Sequence, residues 1–261
     1  MKTRILTAII AVPIVFCILF FAPSWATHVM MDLIAIIAAY ELWSAYVKFR
    51  REPESDKSPK LLMLICAVFL MTIFSLGFIL PSLRSSYILG RYLVLVPFLV
   101  AFITDGGAYF VGVTIGKHRP FPNISPKKSV EGFIGGIVIG TLAILGFAFL
   151  MSKTVPNELS KVLGESISPE SMLASSVYSS YVIKVNYVYA ALCGFVGAVV
   201  TEAGDLLFSW IKRKLGIKDY GNLIPGHGGM LDRFDSMIVC APIIALICHF
   251  LPFFSIVQWV A

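Results

Sequence analysis

Charge is scarce in this sequence. Aspartate, glutamate, lysine and arginine make up 14% of its 261 residues, against about 25% in an ordinary soluble domain. Hydrophobic residues make up 58%, and the mean hydropathy is +0.86. No soluble core could hide so much apolar surface, so a water-soluble globule is excluded and lipid must be the solvent for most of the chain. Cysteine is also sparse: Cys17, Cys66, Cys193, Cys240 and Cys248 all lie in apolar runs, without paired or metal-ligand spacing. That pattern argues against a disulfide framework or a thiolate metal site and leaves small hydrophobic side chains. No internal repeat or low-complexity tract is detectable. Acids are outnumbered by bases, 15 to 21. The surplus of +6 suits an anionic membrane surface or anionic substrates, with no nucleic acid expected as a partner.

What is present is a series of long apolar runs. A bilayer core about 30 Å thick needs about 20 helical residues, and the runs at 5–22, 26–47, 61–80, 87–103, 132–151, 187–210 and 237–260 qualify. The first follows a short basic start but has no small-residue cleavage site behind it, so it is expected to remain as a helix. A Gly-rich segment at 106–116 is too short to span and is expected to be a re-entrant or broken helix. The expected fold is therefore an all-α polytopic integral membrane protein with seven to nine transmembrane helices. Residues 1–86 would form N-terminal transmembrane helices, and 87–261 a catalytic transmembrane domain. With the N-terminus inside, sixteen of the 21 lysines and arginines fall on the cytoplasmic side, the bias that sets orientation. The 48–60 loop reads as a plain connector, and the Ser-rich stretch 152–186 lies outside with no chemistry assigned.

Three polar clusters interrupt the apolar pattern, all on the expected cytoplasmic side. The first is Thr104-Asp105-Gly106-Gly107-Ala108-Tyr109, followed by Gly112, Gly116 and Lys117. An aspartate ending an apolar run needs a polar cavity or a partner, while Gly112 and Gly116 share a helix face and permit close helix packing. A packing seam with a helix-end acid is the alternative. The second is Ser125-Pro126-Lys127-Lys128-Ser129-Val130-Glu131-Gly132. Ser125 is expected as an N-cap and Pro126 as the first helical residue. A helix start flanked by two lysines is a natural phosphate site, although the same lysines also serve topology beside anionic head groups.

The third cluster is the most specific. Glu202, Asp205, Ser209 and Lys212 recur at helical spacing and form one stripe. At 1.5 Å per residue Asp205 lies about 10 Å below Lys212. A submerged carboxylate with a hydroxyl one turn away suggests a hard cation with oxygen ligands, Mg²⁺ above all. Beyond the stripe come Lys218-Asp219, a glycine-rich loop with His227, and Asp232-Arg233-Phe234-Asp235. Asp235 is either a metal ligand or the N-cap of the last helix. Asp232, three residues further out, fits a metal better.

The run from Ser209 through Lys212-Arg213, Lys218-Asp219, Gly221, Pro225, His227-Gly228-Gly229 and Asp232-Arg233-Phe234-Asp235 resembles the hallmark of the phosphatidate cytidylyltransferases, or CDP-diacylglycerol synthases. The first two clusters resemble earlier motifs of that family, with Ser129-Val130 standing where members often carry Thr-Trp. The resemblance covers about 104–140 and 194–236. It implies the reaction of CTP with phosphatidic acid to give CDP-diacylglycerol and pyrophosphate, for phospholipid biosynthesis.

Under that resemblance Asp205 and Asp232 hold Mg²⁺, with Asp219 and Asp235 as weaker ligands and the identity of any second cation open. Lys127, Lys128, Lys212, Arg213 and Lys218 neutralise phosphates. Ser125, Ser209, His227, Arg233, Asp105 and Tyr109 complete the substrate-binding set. A homodimer in the inner cell membrane, with N-terminus and active site cytoplasmic, is also implied. A CTP-dependent polyprenol or phytol kinase is the nearest rival. A transporter is the rival from another class, and it would spread polar residues across the bilayer.

Overall fold

A computed structural model describes residues 24–49, 58–84, 87–165, 181–223 and 228–258. The expected first span at 5–22 and His227 lie outside these residues. Six helices are present among the described residues: α1 (Ser24–Phe49), α2 (Ser58–Arg84), α3 (Tyr87–Ile115), α4 (Val130–Glu165), α5 (Tyr187–Lys214) and α6 (Leu231–Phe250). Among the described residues, four stretches are long and apolar enough to cross a membrane: Trp25–Lys48, Tyr92–Ile115, Val130–Lys153 and Tyr187–Lys214. The expected seven to nine spans are thus not reached there. In α2 the comparable apolar stretch, Leu64–Gly77, is shorter.

Local sequence explains where α5 begins and ends. Asn186 caps it, its side-chain oxygen accepting from Val188 N at 3.1 Å and Tyr189 N at 3.2 Å. At the other end Gly216 adopts φ +65°, which a glycine tolerates best. Gly216 N then donates to Arg213 O and Ile217 N to Lys212 O. This paired closure satisfies the last carbonyls and stops the helix.

The helices share one buried cluster that includes Met31, Leu42, Phe74, Ile144, Phe208, Met237 and Ile244. It draws on α1 and α2 as well as on the later helices. Outward faces of α3 and α4 carry Phe102, Phe110, Val113, Ile134, Val138 and Leu142, all exposed. In water such faces would be a liability, whereas lipid solvates them.

Three sequence expectations need correction. The 106–116 segment is not broken or re-entrant, because α3 runs unbroken to Ile115. Gly107 and Gly112 face α4 closely, a Cβ there meeting Ile139 at 3.0 Å and Ser129 Oγ at 3.2 Å, while Gly106 faces open space; the glycines of α4 complete the seam. A Cβ on Gly132 would lie 2.7 Å from Ala108 O and 3.1 Å from Gly112 Cα, and one on Gly136 would meet Thr104 O at 2.9 Å. The α3–α4 crossing therefore tolerates only glycine at these points.

The last span does not continue to 260. Helix α6 stops at Phe250, and Leu251 (φ −125°, ψ 67°) precedes Pro252, a position disfavoured for helix. The aromatic and β-branched residues that follow form β2 (Phe254–Gln258), antiparallel to β1 (Tyr181–Val185). The fold is therefore not purely α. This ribbon sits at the N-terminal end of α5, away from the polar clusters.

Candidate active site

The C-terminal half of α3, the loop before α4, the end of α5 and the start of α6 meet at one end of the bundle. Their polar side chains pair across elements. Lys128, in the loop, reaches α5, where its Nζ lies 2.6 Å from Glu202 Oε2 and 2.9 Å from Asp205 Oδ2. Lys212, at the end of α5, donates to Asp232 Oδ1 at 3.1 Å and Asp235 Oδ2 at 3.3 Å. Asp105 of α3 accepts from Ser236 Oγ of α6 at 2.9 Å. Each lysine thus sits between two carboxylates, an arrangement that offsets the cost of removing charge from water.

The loop carrying the lysines is held from two sides. Arg119 donates to Pro126 O at 3.1 Å and Arg213 Nε donates to Ile124 O at 3.2 Å. Glu131 accepts from Lys117 N at 3.1 Å, and its Oε1 lies 2.6 Å from His118 Nδ1. Arg213, expected to neutralise phosphate, thus anchors the loop in this arrangement.

Helix α4 starts later than expected. Ser125 and Pro126 are not its N-cap and first residue; they lie in turns, where Lys128 N donates to Ser125 O. Ser129 caps instead, its Oγ accepting from Gly132 N at 3.1 Å. The cap moved because the 121–128 segment closes its own turns, with Ser125 N donating to Phe121 O. A Cβ at Gly112 or Gly116 would press on the Ser129 side chain, so glycine at both positions leaves it room at the seam.

Asp235 is not a cap either. Helix α6 begins at Leu231, and Asp235 lies one turn inside it, buried and facing Lys212. Asp232 has both oxygens engaged. Oδ2 accepts from Tyr220 N and Gly229 N, each at 2.9 Å, and Oδ1 accepts from Lys212. With its side chain 3% exposed, it ties the 220 loop to the 228–232 turn and shows no open ligand face.

Asp205 differs. Its side chain is 29% exposed, and Ser209 Oγ donates to its Oδ1 at 3.3 Å. Lys127, Lys218, Asp219 and Arg233 are exposed around the same end. Tyr109 is 72% exposed on the outside of α3 and does not join the cluster.

Two acids carry more structure than the sequence indicated. Glu202, on the stripe but outside the expected site set, is 1% exposed and partners Lys128. Glu41 of α1 was missed altogether, although an acid within an apolar run is itself a signal.

The lysine electrostatics follow from this packing. Burial lowers the affinity of the Lys128 ammonium for its proton, but Asp205 and Glu202 outweigh that and hold its pKa above the ordinary lysine value. Tyr220 in the loop stays protonated, raised by burial and by the carboxylates of Asp235 and Asp232.

Among the described residues no three His, Cys, Asp or Glu side chains converge as a metal cage. Mg²⁺, however, usually binds through one or two carboxylates plus substrate phosphates and water. Asp205, 29% exposed with Ser209 beside it, fits that kind of site once Lys128 releases its Oδ2, whereas the sealed Asp232 does not.

A polytopic membrane protein with lysine–carboxylate pairs gathered at one end is the class that fold and site define. The chain belongs to the cytidylyltransferase family, whose model matches residues 50–251. It is 37% identical over 144 residues to a phosphatidate cytidylyltransferase of Bacillus subtilis (strain 168), covering 55% of this chain and 42% of that protein. A protein of the same name from Staphylococcus haemolyticus (strain JCSC1435) is 32% identical over 158 residues, 60% of this chain and 49% of the relative. One from Staphylococcus aureus (strain COL) is 33% identical over 160 residues. The chain spans about half the length of the curated relatives it matches.

Proposed function

We propose that the protein transfers the cytidylyl group of CTP to phosphatidic acid, releasing pyrophosphate and forming CDP-diacylglycerol. The observation that carries the reading is the pair of lysine centres at one end of an apolar bundle, in a chain related to phosphatidate cytidylyltransferases. An oxygen of the phosphatidate phosphate forms the new bond to the α-phosphorus of CTP. The bond from that phosphorus to the oxygen bridging the β-phosphate breaks, and pyrophosphate leaves. The nucleophile is already anionic, so no strong base is needed. The chain's task is to bring two polyanions together in line and neutralise the leaving group.

Lys128 can exchange Asp205 and Glu202 for substrate phosphate, and Lys127 is exposed next to it. Lys212 stays close to Asp232 and Asp235 and presents its charge over the loop. Mg²⁺ held on Asp205 with Ser209, when bound, supplies further neutralisation of the triphosphate. The expected setting is the inner cell membrane with the site toward the cytoplasm, supported by the lysine and arginine bias. A homodimer rests on family resemblance alone.

The test uses purified protein in detergent with phosphatidate, Mg²⁺ and CTP labelled at either the α- or the γ-phosphorus. Label should enter lipid from α-labelled CTP only. Transfer from the γ position would make the protein a lipid kinase, and no transfer from either would remove the enzymatic reading.

A further inference from the structure

We propose that Glu41, a residue of α1 outside every motif described above, is a positioning residue for the Lys212 centre. The proposal rests on the cytidylyl-transfer reading for its kinetic consequence but not for its structural one. Glu41 is 6% exposed on a helix otherwise built for lipid, and a carboxylate there is costly without partners. Its partners are backbone groups far away in sequence. Oε1 accepts from Met230 N at 3.1 Å, and Oε2 accepts from Leu231 N at 2.8 Å. These N–H groups open α6, whose N-cap residue Met230 offers no side-chain cap. Glu41 therefore places a protein carboxylate where a helix start would otherwise attract a phosphate.

Two further segments close on the same carboxylate. A Cβ added at Gly221 or at Gly229 would collide with it. The 220 loop, the 228–231 turn and the start of α6 are thus gathered around one side chain. The next link is direct: Gly229 N and Tyr220 N both donate to Asp232 Oδ2, and Asp232 Oδ1 holds Lys212. Glu41 fixes the turn, the turn fixes Asp232, and Asp232 aims the Lys212 ammonium. Two consequences follow. Glu41 already satisfies two of the N–H groups that open α6, which makes that helix start a poor phosphate cradle. Loss of Glu41 should also misplace a charge needed as the pyrophosphate leaves, lowering kcat more than it raises KM.

The experiment compares the full chain with Glu41→Gln, which keeps the volume but replaces one acceptor oxygen by a donor, and with Glu41→Asp, which keeps the charge. Turnover, both KM values and amide hydrogen exchange across 228–234 are measured in detergent. Glu41→Gln is expected to lose about tenfold or more in kcat, with each KM within about twofold. Exchange at Met230 and Leu231 should quicken, and Glu41→Asp should recover part of both.

Unchanged kcat in folded Glu41→Gln would overturn the proposal. So would a loss that disappears well below the variant's melting temperature, because that would make Glu41 merely structural. If the wild-type protein transfers no cytidylyl group, the function proposed above fails separately, and unchanged exchange at Met230 and Leu231 would still overturn the role of Glu41. Should Glu41→Gln fail to accumulate, Gly229→Ala presses a methyl group on the same carboxylate and is judged by the same measurements.

Discussion

The two lysine centres are built from the same parts but differ in access. Lys128 sits between a sealed Glu202 and an Asp205 that is 29% exposed. Lys212 sits between Asp232 and Asp235, at 3% and 11%. The first centre can open, because one partner and the lysine itself already meet solvent. The second is closed, tied into backbone through Tyr220 and Gly229, and works as scaffold and fixed charge together. Under the proposed reading the open pair exchanges with an anionic substrate while the closed pair keeps its geometry.

Breaking the closed centre should have the largest effect on stability. Lys212→Met leaves two buried carboxylates unpaired, and loss of one partner from such a pair costs ~3–5 kcal/mol. The variant is expected to melt well below wild type in a detergent thermal-shift assay, with turnover lost. At the open centre, Asp205→Asn keeps the size and a polar head but removes the charge suited to Mg²⁺. It should abolish turnover with only a small fall in the melting temperature of the metal-free protein, because Asp205 is 29% exposed and Lys128 keeps Glu202 as a partner. Asp235→Asn sharpens the contrast. Had Asp235 been a cap, asparagine would serve about as well, but facing Lys212 it loses an ion-pair partner, so partial loss of both stability and rate is expected. Near-normal rates in Asp205→Asn would place the cation elsewhere.

Smaller effects concern coupling and pH. Lys128→Met strands Glu202, and adding Glu202→Gln should return part of the lost stability, a positive coupling measurable by a double-mutant cycle. The Lys128 pKa is raised in the folded protein. Its pairing is therefore fully present below the ordinary lysine pKa and is lost only as pH rises through the raised value. Thermal stability should show no Lys128-dependent change between pH 6 and pH 9, with any decline confined to more alkaline conditions.

Much of the fold could be read locally. Asn186 before α5 and Gly216 after it carry ordinary cap chemistry, and apolar length marks α1, α3, α4 and α5. What failed depended on distant partners or competing turns. The α3 glycines look like a helix break until α4 is set against them. Ser125-Pro126 has the form of a helix start, but the preceding segment closes its own turns and leaves Ser129 to cap.

The site followed the same division. The acids and lysines at the ends of α3, α5 and α6 were visible as clusters, but not which lysine would meet which acid. Glu202 and Asp205 fall on one stripe, yet nothing local says that Lys128, 74 positions earlier, completes it. Glu41 is 190 positions from Leu231, so only the packed helices join them.

The account stands on Lys128 trading its carboxylates for substrate phosphate, and the direct measurement is the kinetics of Lys128→Gln in correctly inserted protein. Orientation is checked by cysteine accessibility on both faces of the membrane. The expected result is a KM for CTP or phosphatidate raised about tenfold or more, corresponding to ~1.4 kcal/mol of lost binding, with orientation as in wild type. Unchanged kcat and KM, or an inverted topology that by itself explains the loss, would contradict the exchange and leave the lysine as a topology signal only.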